Sequence, residues 1–141
     1  MKQIATSFKY CCCDIKDFSS KVAPPDRWKS LVITELDFIR NMVKFDMEIF
    51  TKLVVTSETQ LQDIRWISKE LSNITCDDGQ VVGLAIQPVY LESKEFKDNY
   101  SISTAHLNNI FYTAAEFLPS ESLTLSIQAH KYLKLLWVVQ Y

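Results

Sequence analysis

Hydrophobic residues recur at intervals of three and four along residues 28–55, in the stretch WKSLVITELDFIRNMVKFDMEIFTKLVV. This spacing places side chains on one face of an α-helix. A surface helix needs only one apolar stripe, and two stripes indicate contact on two sides. The pattern therefore predicts one long helix, Trp28–Val55, at the centre of a helical bundle. The two apolar rows are Trp28, Val32, Leu36, Ile39, Val43, Met47, Phe50 and Val54, and Leu31, Phe38, Met42, Phe45, Ile49 and Leu53.

Shorter helices are predicted on either side of this central helix. Ser57 with Gln60 three residues later is a capping-box signature, and Ser103 or Thr104 suits the N-cap of a later helix. The predicted short helices cover residues 14–20, 57–74, 80–93, 105–118 and 120–141. We therefore expect an all-α fold, an elongated helical bundle (residues 26–141) preceded by an N-terminal arm (residues 1–25).

Composition narrows the functional classes. The chain has 141 residues, 48% of them hydrophobic, which is typical of one globular domain. A formal net charge of −2 argues against nucleic-acid binding through bulk charge. The two glycines are too few for a glycine-rich phosphate loop. No apolar run approaches the ~18 residues that span a bilayer, and no signal peptide is evident, so we expect a cytoplasmic protein.

The four cysteines allow two readings. Cys11, Cys12 and Cys13 are consecutive, and Cys76 stands apart. This spacing does not match a zinc site, so no metal is expected. The cysteine run near a chain end is either a lipidation site that attaches the protein to a membrane or a set of ordinary reduced thiols.

No catalytic motif stands out. His106 and His130 are the only histidines, and neither has metal-binding or nucleophile-activating spacing. We therefore expect no enzyme activity and no cofactor. The remaining classes are a regulator, a binding module and a scaffold.

Four segments together give a resemblance to a known family. They are LVITELDFI at 31–39, IRWI at 64–67, the 82–96 segment with Val-Gly followed by Lys-Glu-Phe, and KYLKLL at 131–136. In this order they resemble the conserved regions of Dbl-homology domains, the helical exchange-factor domains of Rho-family GTPases. Most of residues 27–137 is covered, and the resemblance implies a Dbl-homology domain that lacks its last helix.

The resemblance implies a function without covalent catalysis. The chain would bind a Rho-family small GTPase as an exchange-factor-like module, with Glu35 meeting switch I and Lys131 meeting switch II. Two alternatives stay open. One is a scaffold module that docks or self-associates through its apolar C-terminal helix. The other is an adaptor with peripheral membrane contact through Cys11–Cys13.

Overall fold

The computed structural model describes residues 10–45, 48–76, 78–89 and 101–126, and within them it shows an α/β fold. Strands and helices alternate along the chain. Their bounds are β1 (Tyr10–Ile15), a 3₁₀ turn (Phe18–Ser20), α1 (Pro25–Met42), β2 (Glu48–Val55), α2 (Leu61–Ser72), β3 (Gly83–Pro88), α3 (Thr104–Ala115), a second 3₁₀ turn (Ser120–Ser122) and β4 (Leu123–Leu125).

The strands form one parallel sheet in the order β1-β2-β3-β4. Neighbours in the sheet are therefore consecutive strands, as expected when parallel strands are joined by crossover helices. Alternate strand residues, such as Ile15, Leu53 and Ile86, are fully buried and pack in one core with the helices. The helix side of that core comprises Trp28, Val32, Leu36, Ile39, Ile64, Ile67, Leu71, Ile110 and Ala114.

Helix α1 has a single buried stripe. Trp28, Val32, Leu36 and Ile39 are buried, whereas Phe38 of the second predicted row is 45% exposed. The helix is therefore packed along one face, and its flank also contacts α2 through Trp66 and Glu70. Its proline at the first helical position matches the preference of helix N-termini for that residue.

The prediction of an all-α bundle is wrong, and so is the prediction of one helix over Trp28–Val55. The helix ends at Met42, and Glu48–Val55 is a parallel strand. Ile49 and Leu53 are four residues apart, a spacing that fits a helix face and also places both on one face of a strand. A short apolar run cannot be assigned by period alone.

The other predicted helices have mixed outcomes. The helices predicted over 57–74 and 105–118 are confirmed in shorter form, as α2 and α3. Ser103 caps α3, since its Oγ accepts the His106 N–H at 3.1 Å. The segment predicted helical at 80–93 contains β3 instead. The segment predicted helical at 14–20 contains the end of β1, and only Phe18–Ser20 is helical, as a 3₁₀ turn. The last predicted helix is replaced over 120–125 by a 3₁₀ turn and β4, and residues 127–141 lie outside the described ones.

No helix in the described part of the chain is long and apolar enough to cross a membrane.

Candidate functional site

One sheet face is packed against the helices, and the opposite face, here called the open face, carries the alternate strand residues. These are exposed or half-buried: Cys12 and Asp14 of β1, Phe50 and Lys52 of β2, Gly83 and Ala85 of β3, and Thr124 of β4. Parallel sheets normally have both faces covered. An open face with charged, aromatic and very small side chains therefore suits a ligand surface better than a second hydrophobic core.

The open face carries a charge cluster towards the carboxyl ends of β1 and β2. Asp14 and Lys52 are registered partners on these strands, and Lys52 Nζ lies 3.0 Å from Asp14 Oδ1. Lys16 Nζ donates to Asp14 Oδ2 at 2.8 Å. Burial raises the pKa of Asp14, but the hydrogen bonds and charges of both lysines outweigh burial and hold the pKa below its ordinary value. On the open face the cluster thus has two ammonium groups for one carboxylate, while the Glu35 carboxylate lies near Lys16 from the helix side.

The backbone of Lys16 is held from the helix side. Its N–H donates to Glu35 Oε2 at 3.0 Å, and its carbonyl accepts the Trp28 Nε1–H at 2.7 Å. Trp28 makes edge-to-face ring contacts with Phe18 and Trp66, at centroid distances of 5.5 and 5.8 Å. Both backbone groups of Lys16 are therefore anchored where β1 ends. The anchoring restricts the position from which its side chain reaches Asp14.

A second polar network joins the loops that follow β1 and β2. The Asp17 side chain is buried, and its Oδ2 accepts the Thr59 hydroxyl at 2.7 Å and the Ser19 N–H at 3.1 Å. The Thr59 hydroxyl also accepts the Thr56 N–H at 2.9 Å, and the Thr59 carbonyl lies 3.0 Å from His106 Nε2. This network fixes the loops at the carboxyl edge of the sheet, where open α/β sheets bind ligands.

A groove of about 570 Å³ runs across the open face towards β4. Phe50, Gly83, Ala85 and Thr124 line it, and Glu121 stands at its rim. Its volume lies in the range of about 300–1,000 Å³ that is common for small-molecule sites. Phe50 is 44% exposed, so its side chain is accessible to a ligand. We name this feature the open-face groove.

Of the sequence-predicted site residues that the structure describes, Cys12 lies on the open face and Glu35 does not. Glu35 lies on α1, on the helix side of the sheet, and burial raises its pKa although the Lys16 N–H and charge lower it. Lys131 lies outside the described residues, as does His130. Among the three consecutive cysteines, Cys13 is buried, and only Cys12 is exposed. Their acylation stays a prediction.

Asp14, Lys16 and Lys52 were not predicted as site residues. The available signal was the alternation of β2, in which Lys52 stands between the buried Thr51 and Leu53. In a strand, side chains alternate between the two sheet faces, so a charged residue between two buried ones lies on the opposite face. Interpreting the segment as a helix conceals this alternation. Within the described ranges, no three His, Cys, Asp or Glu side chains lie close enough together to hold a metal ion.

The fold and the site together define a class of protein. It is a parallel β/α protein whose helices cover one face of the sheet, while the other face carries a groove beside a charge cluster. Enzymes of this architecture bind small molecules at the carboxyl ends of their strands.

Comparison with known proteins finds two curated relatives. The chain is 31% identical over 136 residues, or 96% of its length, to a 7-carboxy-7-deazaguanine synthase of Thermococcus kodakarensis. It is 32% identical over 109 residues, or 77% of its length, to the 7-carboxy-7-deazaguanine synthase of Methanocaldococcus jannaschii. The matches cover 47% and 41% of these proteins, so the chain spans less than half the length of the curated relatives it matches. No protein-family model and no solved structure matches it.

These findings correct the functional predictions. The resemblance to Dbl-homology domains is wrong, because the relatives are synthases and the fold contains a parallel sheet. The exchange-factor function, the scaffold alternative and the Rho-family GTPase partner are contradicted with it. The expectation of a protein that is not an enzyme is also contradicted, since both relatives are named as synthases.

Proposed function

We propose that this protein takes part in the formation of 7-carboxy-7-deazaguanine, with the open face of its sheet lining the site that binds the deazaguanine. The observation that carries the proposal is the 31% identity to a synthase of that name over 96% of the chain. The chain covers less than half of that relative, so the proposal concerns participation in the reaction and leaves open which steps need other residues.

The geometry supports a binding role for the open face. The groove offers an exposed aromatic ring in Phe50 and a floor of two small residues, Gly83 and Ala85. Lys52 stands next to Ala85 on the neighbouring strand. A flat ring system with a negatively charged substituent requires an apolar surface and a cation, and both are present. The Asp17–Thr59 network and the contacts of Glu35 and Trp28 hold the adjoining loops and strand end in place.

The proposal is tested by deleting the gene from the organism that carries it and measuring 7-carboxy-7-deazaguanine in cell extracts by mass spectrometry. We expect the compound to fall in the deletion strain and to return when the intact gene is supplied on a plasmid. Empty plasmid is the control. An unchanged level of the compound in the deletion strain would contradict the proposal.

A cytoplasmic location, predicted from the sequence, is part of the same proposal.

A further inference from the structure

The open-face groove has a carboxylate in its lining and an ammonium group beside it. Lys52 does not line the groove, but it is the registered neighbour of Ala85 and stands two residues after Phe50 on the same face, with its ammonium in contact with Asp14 of β1. Glu121 lines the groove from the 3₁₀ turn that precedes β4, three residues before Thr124. The positive and the negative group therefore stand on opposite sides of β3.

Two small residues of β3 lie in the groove. Gly83 and Ala85 are the open-face residues of β3 that line it, and the Phe50 side chain borders them on β2. A Cβ placed on Gly83 would lie 3.7 Å from the Phe50 Cβ, at ordinary van der Waals distance. A flat bicyclic ring can thus lie over β3 in contact with Phe50, whose ring offers an apolar face for stacking.

The chemistry of one ligand matches both charged groups. In 7-carboxy-7-deazaguanine the carboxylate is attached to the five-membered ring, which also carries one N–H, while a second ring N–H and the 2-amino group stand side by side as donors on the six-membered ring. A lysine ammonium pairs with a carboxylate, and a glutamate carboxylate accepts from neighbouring N–H donors. The Lys52 ammonium and the Glu121 carboxylate are therefore complementary to the carboxylate and to the paired donors of this molecule.

The contact with Asp14 leaves Lys52 able to pair with a carboxylate of a ligand. Asp14 Oδ1 contacts Lys52 at 3.0 Å, and its Oδ2 is engaged by Lys16 at 2.8 Å, so one carboxylate is shared by two cations. The Lys52 ammonium has three donors, and Asp14 needs one of them. The Lys52 side chain is 28% exposed, and its remaining donors can pair with a further anionic group.

We propose that Lys52 pairs with the carboxylate of a deazaguanine that stacks on Phe50 in the open-face groove, so that Lys52 selects the carboxylated base over the base without that group. This inference rests on the proposed function and assigns it a specificity-determining residue. The Glu121 carboxylate accepts hydrogen bonds from the N–H donors that both bases share, and Phe50 contributes to the binding of both.

The test is calorimetric titration of the purified protein with 7-carboxy-7-deazaguanine and, separately, with 7-deazaguanine. We expect the parent protein to prefer the carboxylated base by about tenfold to a hundredfold, the range of one charge-assisted hydrogen bond. Lys52→Met should abolish this preference without lowering the affinity for 7-deazaguanine. Phe50→Leu and Glu121→Gln should lower the affinity for both bases by similar factors. Lys44→Met, which changes an exposed lysine of the turn after α1, is the matched control.

The possible outcomes distinguish failure of this inference from failure of the proposed function on which it rests. If the parent prefers the carboxylated base and Lys52→Met keeps that preference, the inference about Lys52 is wrong and the proposed function stands. If the folded parent binds neither base, while deletion of the gene still lowers 7-carboxy-7-deazaguanine in cells, the groove is not the binding site. A dimer in sedimentation experiments that binds neither base would assign the open face to a second copy of the chain and overturn the inference.

Discussion

The Glu35 carboxylate accepts the backbone N–H of Lys16 at 3.0 Å, across the boundary between helix α1 and the end of strand β1. The contact connects the packed side of the sheet to a lysine whose side chain reaches the open face. Glu35 thus fixes the backbone of a site residue, a role that its place in the α1 sequence does not indicate.

Glu35→Gln should change how stability depends on pH. Burial raises the pKa of Glu35 in the folded protein, with the Lys16 N–H opposing the shift. A raised carboxyl pKa contributes stability that is fully present below the unfolded pKa, about 4.3 for glutamate, and that is lost as pH rises through the folded pKa. The free energy of unfolding of the parent, minus that of Glu35→Gln, should therefore fall as pH rises from 4 towards neutrality.

Urea unfolding at a series of pH values measures this difference. The glutamine can still accept the Lys16 N–H, so the comparison isolates the charge. Glu48→Gln, at an exposed position where β2 begins, controls for the loss of a surface carboxylate. A difference that grows with pH would mean that the Lys16 N–H outweighs burial, with the pKa of Glu35 lowered instead.

Thr59→Val should destabilise the fold through the loops at the carboxyl edge. The Thr59 hydroxyl is buried, donates to Asp17 at 2.7 Å and accepts the Thr56 N–H at 2.9 Å. Valine fills the same space and makes neither bond, so two buried polar groups lose a partner. We expect the free energy of unfolding to fall by about 2 kcal/mol.

The matched control is Thr34→Val, at an exposed position of α1 where the hydroxyl donates to the Ser30 carbonyl at 2.9 Å. It should change the free energy of unfolding by less than about 0.5 kcal/mol. Equal losses for the two variants in urea unfolding would show that the Asp17–Thr59 network adds no stability beyond that of a surface threonine.

The sequence predicted the helices of this fold better than its strands. In α1 the row Trp28, Val32, Leu36 and Ile39 follows helical spacing, and these four residues form the buried stripe. Helix α3 begins after the predicted cap, Ser103. Such features are local, because a helix makes its hydrogen bonds within one segment. They can be identified without knowing what the segment packs against.

Strands of a parallel sheet lack this local signal. Ile49 and Leu53 fit either period, and the pairing of β2 with β1 and β3 joins residues far apart in sequence. The candidate site depends on that pairing, since Asp14 and Lys52 meet only once the strands are in register. A segment read as a helix therefore hid both the sheet and the charge cluster that the sheet assembles.

Trp28→Phe should weaken the attachment of the β1 end to α1. The Trp28 Nε1–H donates to the Lys16 carbonyl at 2.7 Å, and the indole is 4% exposed. Phenylalanine keeps an aromatic ring but leaves that carbonyl without its donor, so we expect a loss of about 1–3 kcal/mol in the free energy of unfolding. Thermal or urea unfolding measures it.

Trp66→Phe provides the comparison, because Trp66 contacts the Trp28 ring at 5.8 Å and is only half-buried. It should cost less than Trp28→Phe. If the Trp66 variant is the less stable of the two, then ring contact and not the hydrogen bond to Lys16 is the main contribution of this pair.

Cys12 and Cys13 should differ sharply in alkylation, although they are adjacent. Burial raises the pKa of Cys13 to about 12, and hydrogen bonding with Cys11, whose sulfur lies 3.5 Å away, adds to that shift. Burial also raises the pKa of Cys12, but the Lys52 charge opposes it and the thiol is exposed. Since the thiolate is the reactive form, iodoacetamide at pH 8 should label Cys12 and spare Cys13, as read by peptide mass spectrometry.

Lys52→Met tests the electrostatic part of this argument. Removing the cation should raise the pKa of Cys12 further and slow its labelling a few-fold, whereas Lys44→Met should leave the rate unchanged. Equal rates in parent and Lys52→Met would show that the Lys52 ammonium does not act on the open face near Cys12. Rapid labelling of Cys13 in the folded protein would contradict its burial in β1. With rapid labelling of Cys13, acylation of all three cysteines would be compatible with the folded chain. If Cys13 is protected, its acylation would require β1 to detach from the sheet.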